Sequence, residues 1–368
     1  MSFTGHFKTY IEDARTLGRW IVVSTAIGTL CGVLGSAFHI GIEVVTVFRE
    51  THPWVIFTLP AAGLLAVAIY RIFKVEGLST DTIIGHVQTG EGIELELLPA
   101  IFLATIVTHF SGGSAGREGA AFQMGGVIGL GAGRLFRFDE IDQRTATMAG
   151  MAAFFSALFG TPVAATVFVM AVISVGALHH AAFIPCFAAS LAAYATALFL
   201  GIAPTHFSVT VPEMTPVMVV TAAVLAWLCS MLAIVFCEAL RRTEHAAHRL
   251  IANPWIRAAV GGAIILGLTL LVGTQDYNGA GMGIIVRAIE QGEAEPLAFI
   301  WKIIFTVITL SAGFKGGEVV PCFFIGACFG CTVGPLIGIP AGFAAAIGLI
   351  SVFCSAVNCP IASIILAV

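Results

Sequence analysis

The chain has 368 residues, of which 58% are hydrophobic and 10% are charged, and its mean hydropathy is +0.99. These values exclude a soluble domain of ordinary composition and predict an integral membrane protein. The net charge of −4 and the sequence, which contains no basic tract, give no indication of nucleic-acid binding.

The N-terminal part predicts a short cytoplasmic segment followed by two membrane spans. Residues 1–19 are mixed and polar, lack the pattern of a signal peptide and predict an amphipathic helix. The apolar runs that begin near Trp20 and after Pro53 are long enough to cross a bilayer. Basic residues beside these runs, Arg19 and Arg71, place those ends on the inside. We therefore expect a multi-pass protein of the cell inner membrane or plasma membrane with a cytoplasmic N-terminus.

The next segment, Val75–Leu95, is too short and too polar to span a membrane. It predicts either a half-helix that re-enters the membrane or an ordinary cytoplasmic loop with a capped helix. Ser79, Thr80 and Asp81 stand where a helix N-cap is expected, so a hydroxyl and free backbone N–H groups would face whatever lies in front of them.

A glycine-rich break follows over Ser111–Gly129, with the sequence SGGSAGREGAAFQMGGVIG. An ionisable residue at membrane depth costs several kcal/mol unless it faces protein, water or an ion, so Glu118 is the first candidate functional residue. Gly116 and Gly119 allow the backbone to leave the helix and present its N–H groups, while a helix that begins near Gly119 directs the positive end of its dipole at the break. This geometry binds anions.

A second break over residues 311–330, SAGFKGGEVVPCFFIGACFG, resembles the first. Gly116 and Gly316 are 200 residues apart, and Pro162 and Pro360 continue the match at a spacing of 198. Two halves with matching broken helices indicate a transporter whose substrate site lies at their interface, so we expect the two breaks to face each other. The predicted division is a first repeat over 20–201, a linker over 202–216 and a second repeat over 217–368.

This arrangement favours a small anion as the substrate. Several half-helix N-termini near the bilayer midplane would supply N–H donors without a full countercharge, so an anion could bind and leave again. An ionised Glu118 could occupy an anion position as a tethered competitor, and a protonated Glu118 could swing away. Arg117 is expected to anchor the loop instead of binding the ion. For Glu318, a local role beside Lys315 or backbone N–H groups and a role in the pathway stay open.

The motif GREGAAFQMGG resembles the GREGP-type motif of the CLC family of chloride channels and anion/proton antiporters, and KGGEVVP lies where that family has its GxFxP motif. The resemblance implies an all-α polytopic CLC fold of two inverted repeats with tilted and broken helices. It also implies a homodimer in a lipid bilayer with one anion pathway per subunit and Glu118 as the external gating glutamate. Because the chain stops at Val368 inside an apolar run, we expect the last family helices to be missing. The candidate anion pathway comprises Ser79, Thr80, Gly116, Arg117, Gly119, Ala120, Gly317, Glu318, Val319, Val320, Phe323 and Phe324.

Within this family, the form of both motifs resembles the fluoride/proton antiporter branch. Ala171 and Val172 stand where proton-coupled chloride antiporters have a glutamate pair, so the resemblance implies that Glu118 itself visits both sides. Ser79 is nearer to the chloride pattern, since the fluoride branch usually has Met or Asn there. The expected function is fluoride export in exchange for protons, and the alternative is a chloride or general halide channel or antiporter. Phe323 and Phe324 either line the anion route through their positive ring edges or pack in the core.

Other features have structural interpretations. Cys328 and Cys331 form an isolated CxxC that predicts helix packing, and we expect the nine cysteines to be free thiols. No metal site or cofactor is predicted. An intramembrane hydrolase that uses Glu118 and Glu318 as acid and base is disfavoured, because the sequence has no HExxH or GxSxG motif.

Overall fold

The computed structural model describes residues 3–173 and 179–367, with side chains from residue 14 onward. Residues 1–2 of the predicted N-terminal helix, residues 174–178 of the first predicted repeat and Val368 lie outside the described residues. The described residues form fifteen α-helices. In the N-terminal part these are α1 (Phe3–Thr51), α2 (Leu59–Ile72), α3 (Thr80–Thr89), α4 (Leu97–Ser111), α5 (Glu118–Leu135), α6 (Glu140–Phe159), α7 (Pro162–Ile173) and α8 (Phe183–Phe199). They continue with α9 (Pro216–Leu250), α10 (Pro254–Val272), α11 (Met282–Val286), α12 (Ala298–Ser311), α13 (Val319–Val333), α14 (Ala341–Val357) and α15 (Pro360–Leu366).

The helices differ in whether they are long enough to cross a membrane. Within the described residues, six segments are long and apolar enough: Ala14–Thr51, Pro53–Ile72, His180–Phe199, Pro216–Leu250, Pro254–Val272 and Val319–Ile337. The apolar helices α4, α7 and α12 are shorter than the about 20 residues that the hydrocarbon core requires. Full-length and partial helices thus occur together, as expected for a transporter with broken helices.

The predicted N-terminal helix and the first span are continuous in α1. Where α1 emerges from its N-terminal segment, Arg19 forms an ion pair with Asp142 near the start of α6. Its guanidinium also lies over the rings of Trp20 and Phe138, at 5.8 and 4.8 Å from the ring centroids. These contacts fasten the first part of α1 to the region where α5 ends and α6 begins.

One compact unit comprises Met1–His39, Ser79–Leu98 and Ala121–Pro204. Its centre is α6, which packs against α7, α8 and α3. The glycines in α5 and α6 allow these helices to approach closely, since a Cβ on Gly125 would overlap the carbonyl of Gly150 and a Cβ on Gly150 would overlap that of Gly125. The side chains of α6 are buried from Ala146 to Phe159, so α6 forms the core of this unit.

The other compact unit comprises Ile40–Leu78, Pro99–Ala120 and Thr205–Val368. Here α13 packs against α14, and α9 packs against both α12 and α14. Gly326 in α13 and Gly348 in α14 are in the same close relation as the glycine pair of the first unit, because a Cβ on either would overlap the other's carbonyl. The pair α2 and α10 packs in this unit as well, with Gly63 against the backbone of Ala258.

The close helix crossing therefore occurs once in each sequence half. Gly125 and Gly326 are 201 residues apart, and Gly150 and Gly348 are 198 apart, close to the spacings of 200 and 198 of the matching motifs. The segment between α8 and α9 is non-helical and contains residues 202–215 of the linker predicted over 202–216, whose last residue, Pro216, begins α9. The compact units draw on both halves of the sequence, so the repeat boundaries stay a prediction from the motif spacing.

Candidate functional site

The two glycine-rich breaks lie against each other. The backbone N–H of Gly116 donates to the carbonyl oxygen of Gly317 at 2.7 Å, and that of Gly317 donates to Gly116 at 2.8 Å. This antiparallel bridge is isolated from any strand in the described part of the chain. The prediction that the breaks face each other is confirmed.

Both breaks arise from the same local sequence pattern. Helix α4 ends at Ser111 and α12 ends at Ser311, and a glycine in the left-handed region lies within two residues of each end. Gly112 has a φ of +91° and Gly313 has a φ of +102°, a conformation that side chains with a Cβ rarely adopt. The chain therefore leaves the helix at the same point in each half and starts the next helix a few residues later.

Each break is hydrogen-bonded to the helix that precedes the other. The N–H of Ser114 donates to Oγ1 of Thr309 at 3.0 Å, and the N–H of Lys315 donates to Oγ1 of Thr108 at 3.2 Å. Ser114 and Lys315 are 201 residues apart, as are Thr108 and Thr309, so the two contacts are reciprocal. They fix the breaks relative to α4 and α12.

Glu118 lies at the point where the breaks meet, and its side chain is fully buried, with 0% exposed. Its Oε2 accepts a hydrogen bond from the N–H of Val320 at 3.4 Å, and the backbone N–H groups of Arg117 and Glu118 itself also face the carboxylate. A Cβ on Gly317 would lie 2.7 Å from Oε2, and a Cβ on Gly116 would overlap the same oxygen. Only glycine at these two positions leaves room for the carboxylate.

The Glu118 carboxylate occupies a small space at the first turns of two helices. Val320 is in the first turn of α13 and Glu118 is the first residue of α5, so both helices direct the positive ends of their dipoles towards this space. Oε1 has no hydrogen-bond partner among the described residues. A buried acceptor without a partner is costly, so the carboxylate is held less firmly than a fully bonded one.

Arg117 precedes Glu118 and is half-buried. Its guanidinium charge interacts with the carboxylates of Glu118 and Glu43. Glu43 is in α1 and was not identified from the sequence, although a carboxylate inside an apolar run was a usable signal. Gly119 and Ala120 continue the first turn of α5. The anchoring role of Arg117 stays a prediction.

The second break presents its glutamate differently from the first. Glu318 is exposed, whereas Val319 and Val320 are buried and Val320 contributes its N–H to the Glu118 carboxylate. The ammonium of Lys315 lies over the Tyr70 ring, 4.0 Å from its centroid. The two alternatives for Glu318, a local role and a role in the pathway, both stay open.

Phe323 and Phe324 are buried among other aromatic rings. Phe323 packs edge-on against Phe353 with the ring centroids 5.2 Å apart, and Phe324 packs edge-on against Tyr277 at 6.4 Å. These contacts contribute to core packing, and a role of either ring in the anion route stays a prediction. Phe324 has in addition a charged neighbour, since Nζ of Lys302 lies 5.0 Å from its ring centroid.

Ser79 and Thr80 belong to the first compact unit and begin α3. Ser79 is the N-cap and forms a capping box with Thr82, in which the N–H of Ser79 donates to Oγ1 of Thr82 at 3.1 Å. Oγ1 of Thr80 accepts a hydrogen bond from Nε2 of Gln123 at 3.2 Å. The predicted N-cap is confirmed, and α3, with ten residues, is far too short to span a membrane. Its position relative to a bilayer stays a prediction.

Lys302 is the residue that sequence reasoning missed most clearly. It lies within the apolar run AFIWKIIFT of α12, and its side chain is fully buried, with 0% exposed. An ionisable residue in a membrane helix was the signal that could have found it.

The chain matches proteins whose descriptions name anion channels and antiporters. The model of the voltage gated chloride channel family matches residues 62–368. A chloride/fluoride channel protein of Pseudomonas syringae pv. tomato is 34% identical over 95% of this chain and 79% of its own length. An H(+)/Cl(-) exchange transporter of Vibrio campbellii is 24% identical over 95% of this chain and 81% of its own length.

Solved structures agree with these sequence matches. The crystal structure of a CLC-type fluoride/proton antiporter has a TM-score of 0.90 at 32% identity and covers 95% of this chain and 90% of its own. A slow cyanobacterial Cl-/H+ antiporter shares the fold, with a TM-score of 0.72 at 18% identity and 94% coverage of both chains. The all-helical arrangement, the paired breaks and these matches together show a multi-pass membrane protein with the CLC fold, and the chain belongs to the voltage gated chloride channel family.

Proposed function

We propose that this protein is a fluoride/proton antiporter that exports fluoride in exchange for protons, with Glu118 as its gating and proton-carrying residue. The observation that carries the proposal is the buried Glu118 carboxylate at the junction of the two breaks, where it accepts from the N–H of Val320. A carboxylate in that place both competes with an anion and can hold a proton.

The mechanism follows from this competition. Ionised Glu118 occupies a space lined by backbone N–H groups, so a free anion must displace it. Protonation weakens the hydrogen bonds that the carboxyl group accepts, because bonds to a charged acceptor are stronger. The side chain then rotates out of the space and an anion enters. Anion movement in one direction is thereby coupled to proton movement in the other, and an inward proton gradient drives fluoride out.

The relatives support fluoride as the substrate. The chloride/fluoride channel protein and the CLC-type fluoride/proton antiporter are matched at 34% and 32% identity, whereas the H(+)/Cl(-) exchange transporter is matched at 24%. Ala171 and Val172 provide no second carboxylate in α7. In this proposal Glu118 therefore visits both sides and carries the proton between them itself.

The second candidate is a chloride or general halide channel or antiporter of the same fold. The observation that favours it is Ser79, the N-cap of α3. The chloride members of the CLC family have a serine at this place. The proposal further includes a homodimer in the inner or plasma membrane with one pathway per subunit and a cytoplasmic N-terminus. The basic residues beside the first spans support that orientation.

Anion efflux from proteoliposomes tests the function directly. Vesicles loaded with fluoride or chloride are diluted into a medium with an ion-selective electrode, and the external pH is recorded in the same run. Fluoride efflux with proton uptake into the vesicles and little chloride flux is the expected result. Comparable or greater chloride flux would select the halide alternative, and fluoride efflux without proton movement would rule out antiport.

A further inference from the structure

Lys302 has surroundings that packing alone does not require. It is fully buried in α12, and its Nζ donates to the carbonyl oxygens of Gly279 at 2.6 Å and Tyr277 at 3.3 Å. Both acceptors are neutral peptide groups, so these bonds solvate the ammonium without cancelling its charge. A buried charge in a membrane protein is costly, and its default interpretation is functional.

The charge of Lys302 is directed at the ring of Phe324. Nζ lies over this ring at 5.0 Å from its centroid, within the range of a cation–π interaction. An aromatic ring has a negative face and a positive edge. An ammonium over the face draws electron density towards itself, so the edge of Phe324 becomes more positive and more attractive to an anion.

The loop that Lys302 holds also fixes the ring. Tyr277, whose carbonyl accepts from Nζ, packs edge-on against Phe324 with the centroids 6.4 Å apart. Gly281 has a φ of +81°, and a Cβ there would lie 2.6 Å from a ring carbon of Phe324. Lys302 therefore contacts Phe324 directly and also orders the loop over Tyr277–Gly281 that limits the movement of the ring.

We infer that Lys302 is a positioning residue for anion binding, which orients Phe324 and strengthens the positive edge of its ring. The inference rests on the proposed function and on the prediction that Phe324 lines its anion route. A positive charge separated from the anion by one ring favours anion entry, while direct contact with a full charge would hold the ion too tightly for turnover. Lys302 thus raises anion affinity without being a ligand.

Two substitutions of Lys302 separate its charge from its hydrogen bonds. Lys302→Gln removes the charge but retains an N–H donor for the loop carbonyls, and Lys302→Met removes both. In proteoliposomes, both variants should raise the KM for fluoride by about tenfold. The maximal rate and the number of protons moved per fluoride should stay close to those of the parent, since Glu118 is unchanged.

The same substitutions in a Phe324→Leu background show whether Lys302 acts through the ring. If it does, Lys302→Gln should add no further rise in KM to that of Phe324→Leu, because contacting residues are non-additive. If Lys302→Gln raises the KM by the same factor in the Phe324→Leu background as in the parent, the two effects are additive and the inference is overturned. An unchanged KM for Lys302→Gln would overturn it as well.

Folding is checked by size-exclusion chromatography and thermal melting of each purified variant. If both Lys302 variants fail to fold while Phe324→Leu folds, the residue serves the structure of the loop and the inference is wrong. If the parent carries chloride and not fluoride, the proposed substrate alone is contradicted. The same KM series measured with chloride then decides the role of Lys302.

Discussion

Gly116 and Gly317 are 201 residues apart in the sequence and exchange a pair of backbone hydrogen bonds of 2.7 and 2.8 Å. Each glycine also lies against the Glu118 carboxylate, so the bridge and this carboxylate share one small volume. A change at either glycine must move the carboxylate, the bridge or both. The bridge is therefore where the protein should be least tolerant of an added methyl group.

Gly317→Ala should reduce transport at least about tenfold, because a displacement of about 1 Å at a functional site can cost that much or more. Its Cβ would lie 2.7 Å from both Oε2 of Glu118 and the backbone nitrogen of Gly119. Fluoride efflux from proteoliposomes, normalised to the amount of folded protein, provides the measurement.

Gly267→Ala is the matched control for this substitution. Gly267 lies inside α10, and no atom lies within 4 Å of a Cβ built there. This variant should transport at the parental rate. Equal rates for Gly317→Ala and the parent would show that the carboxylate does not need the space beside Gly317.

Glu118→Gln should preserve the fold, since the amide is close in size to the carboxyl group. It should abolish proton-coupled exchange, because the amide does not take up and release a proton near neutral pH. Any residual anion flux of this variant should be independent of external pH, whereas the flux of the parent should respond to it. Simultaneous recording of fluoride and external pH gives both quantities.

The exposed carboxylate of Glu213 supplies the control for this experiment. Glu213→Gln removes the same charge from the loop before α9 and should leave proton coupling unchanged. Proton uptake that survives at the parental level in Glu118→Gln would contradict the mechanism.

Gly129→Ala should destabilise the fold by about 1–3 kcal/mol, the usual cost of overpacking a close contact. A Cβ on Gly129 in α5 would overlap the carbonyl of Ala146 and approach Cα of Thr147 to 2.8 Å. Thermal melting of the detergent-solubilised protein measures the loss as a lower midpoint temperature.

Gly131→Ala tests the same helix without the close contact. The nearest atom to a Cβ at Gly131 is a methyl carbon of Leu95 at 3.6 Å, an ordinary van der Waals distance. This substitution should keep or raise the melting temperature, because alanine is the better helix former. Equal melting temperatures for the two variants would show that α5 and α6 can separate at no cost.

Ser79→Ala should cost about 1 kcal/mol of stability through loss of the N-cap of α3. Ser79→Asn should keep that stability, because asparagine caps helices as well as serine does. It should also lower chloride flux relative to fluoride flux if the residue at position 79 sets anion selectivity. The measurement combines thermal melting with paired chloride and fluoride efflux, and an unchanged flux ratio would remove position 79 from the selectivity site.

Much of the candidate site could be predicted from the sequence because its signals are rare in an apolar chain. A glycine-rich break with a carboxylate stands out against long hydrophobic runs, and the spacing of 200 residues makes the second break recognisable. The N-cap at Ser79 was predictable for another reason, since a cap depends on three or four consecutive residues. By contrast, Lys302 and Glu43 are each marked by their charge alone, with no glycine-rich break around them.

The sequence by itself determined the membrane character, the two breaks and the choice of Glu118 as the first candidate residue, because composition and local pattern are enough for these. Only the tertiary structure decided that the two similar motifs present their glutamates differently. Glu118 is buried against Gly116, Gly317 and the N–H of Val320, whereas Glu318 is exposed. The position of a side chain at the start of a helix depends on what packs against that helix end, and here that partner is about 200 residues away in the sequence.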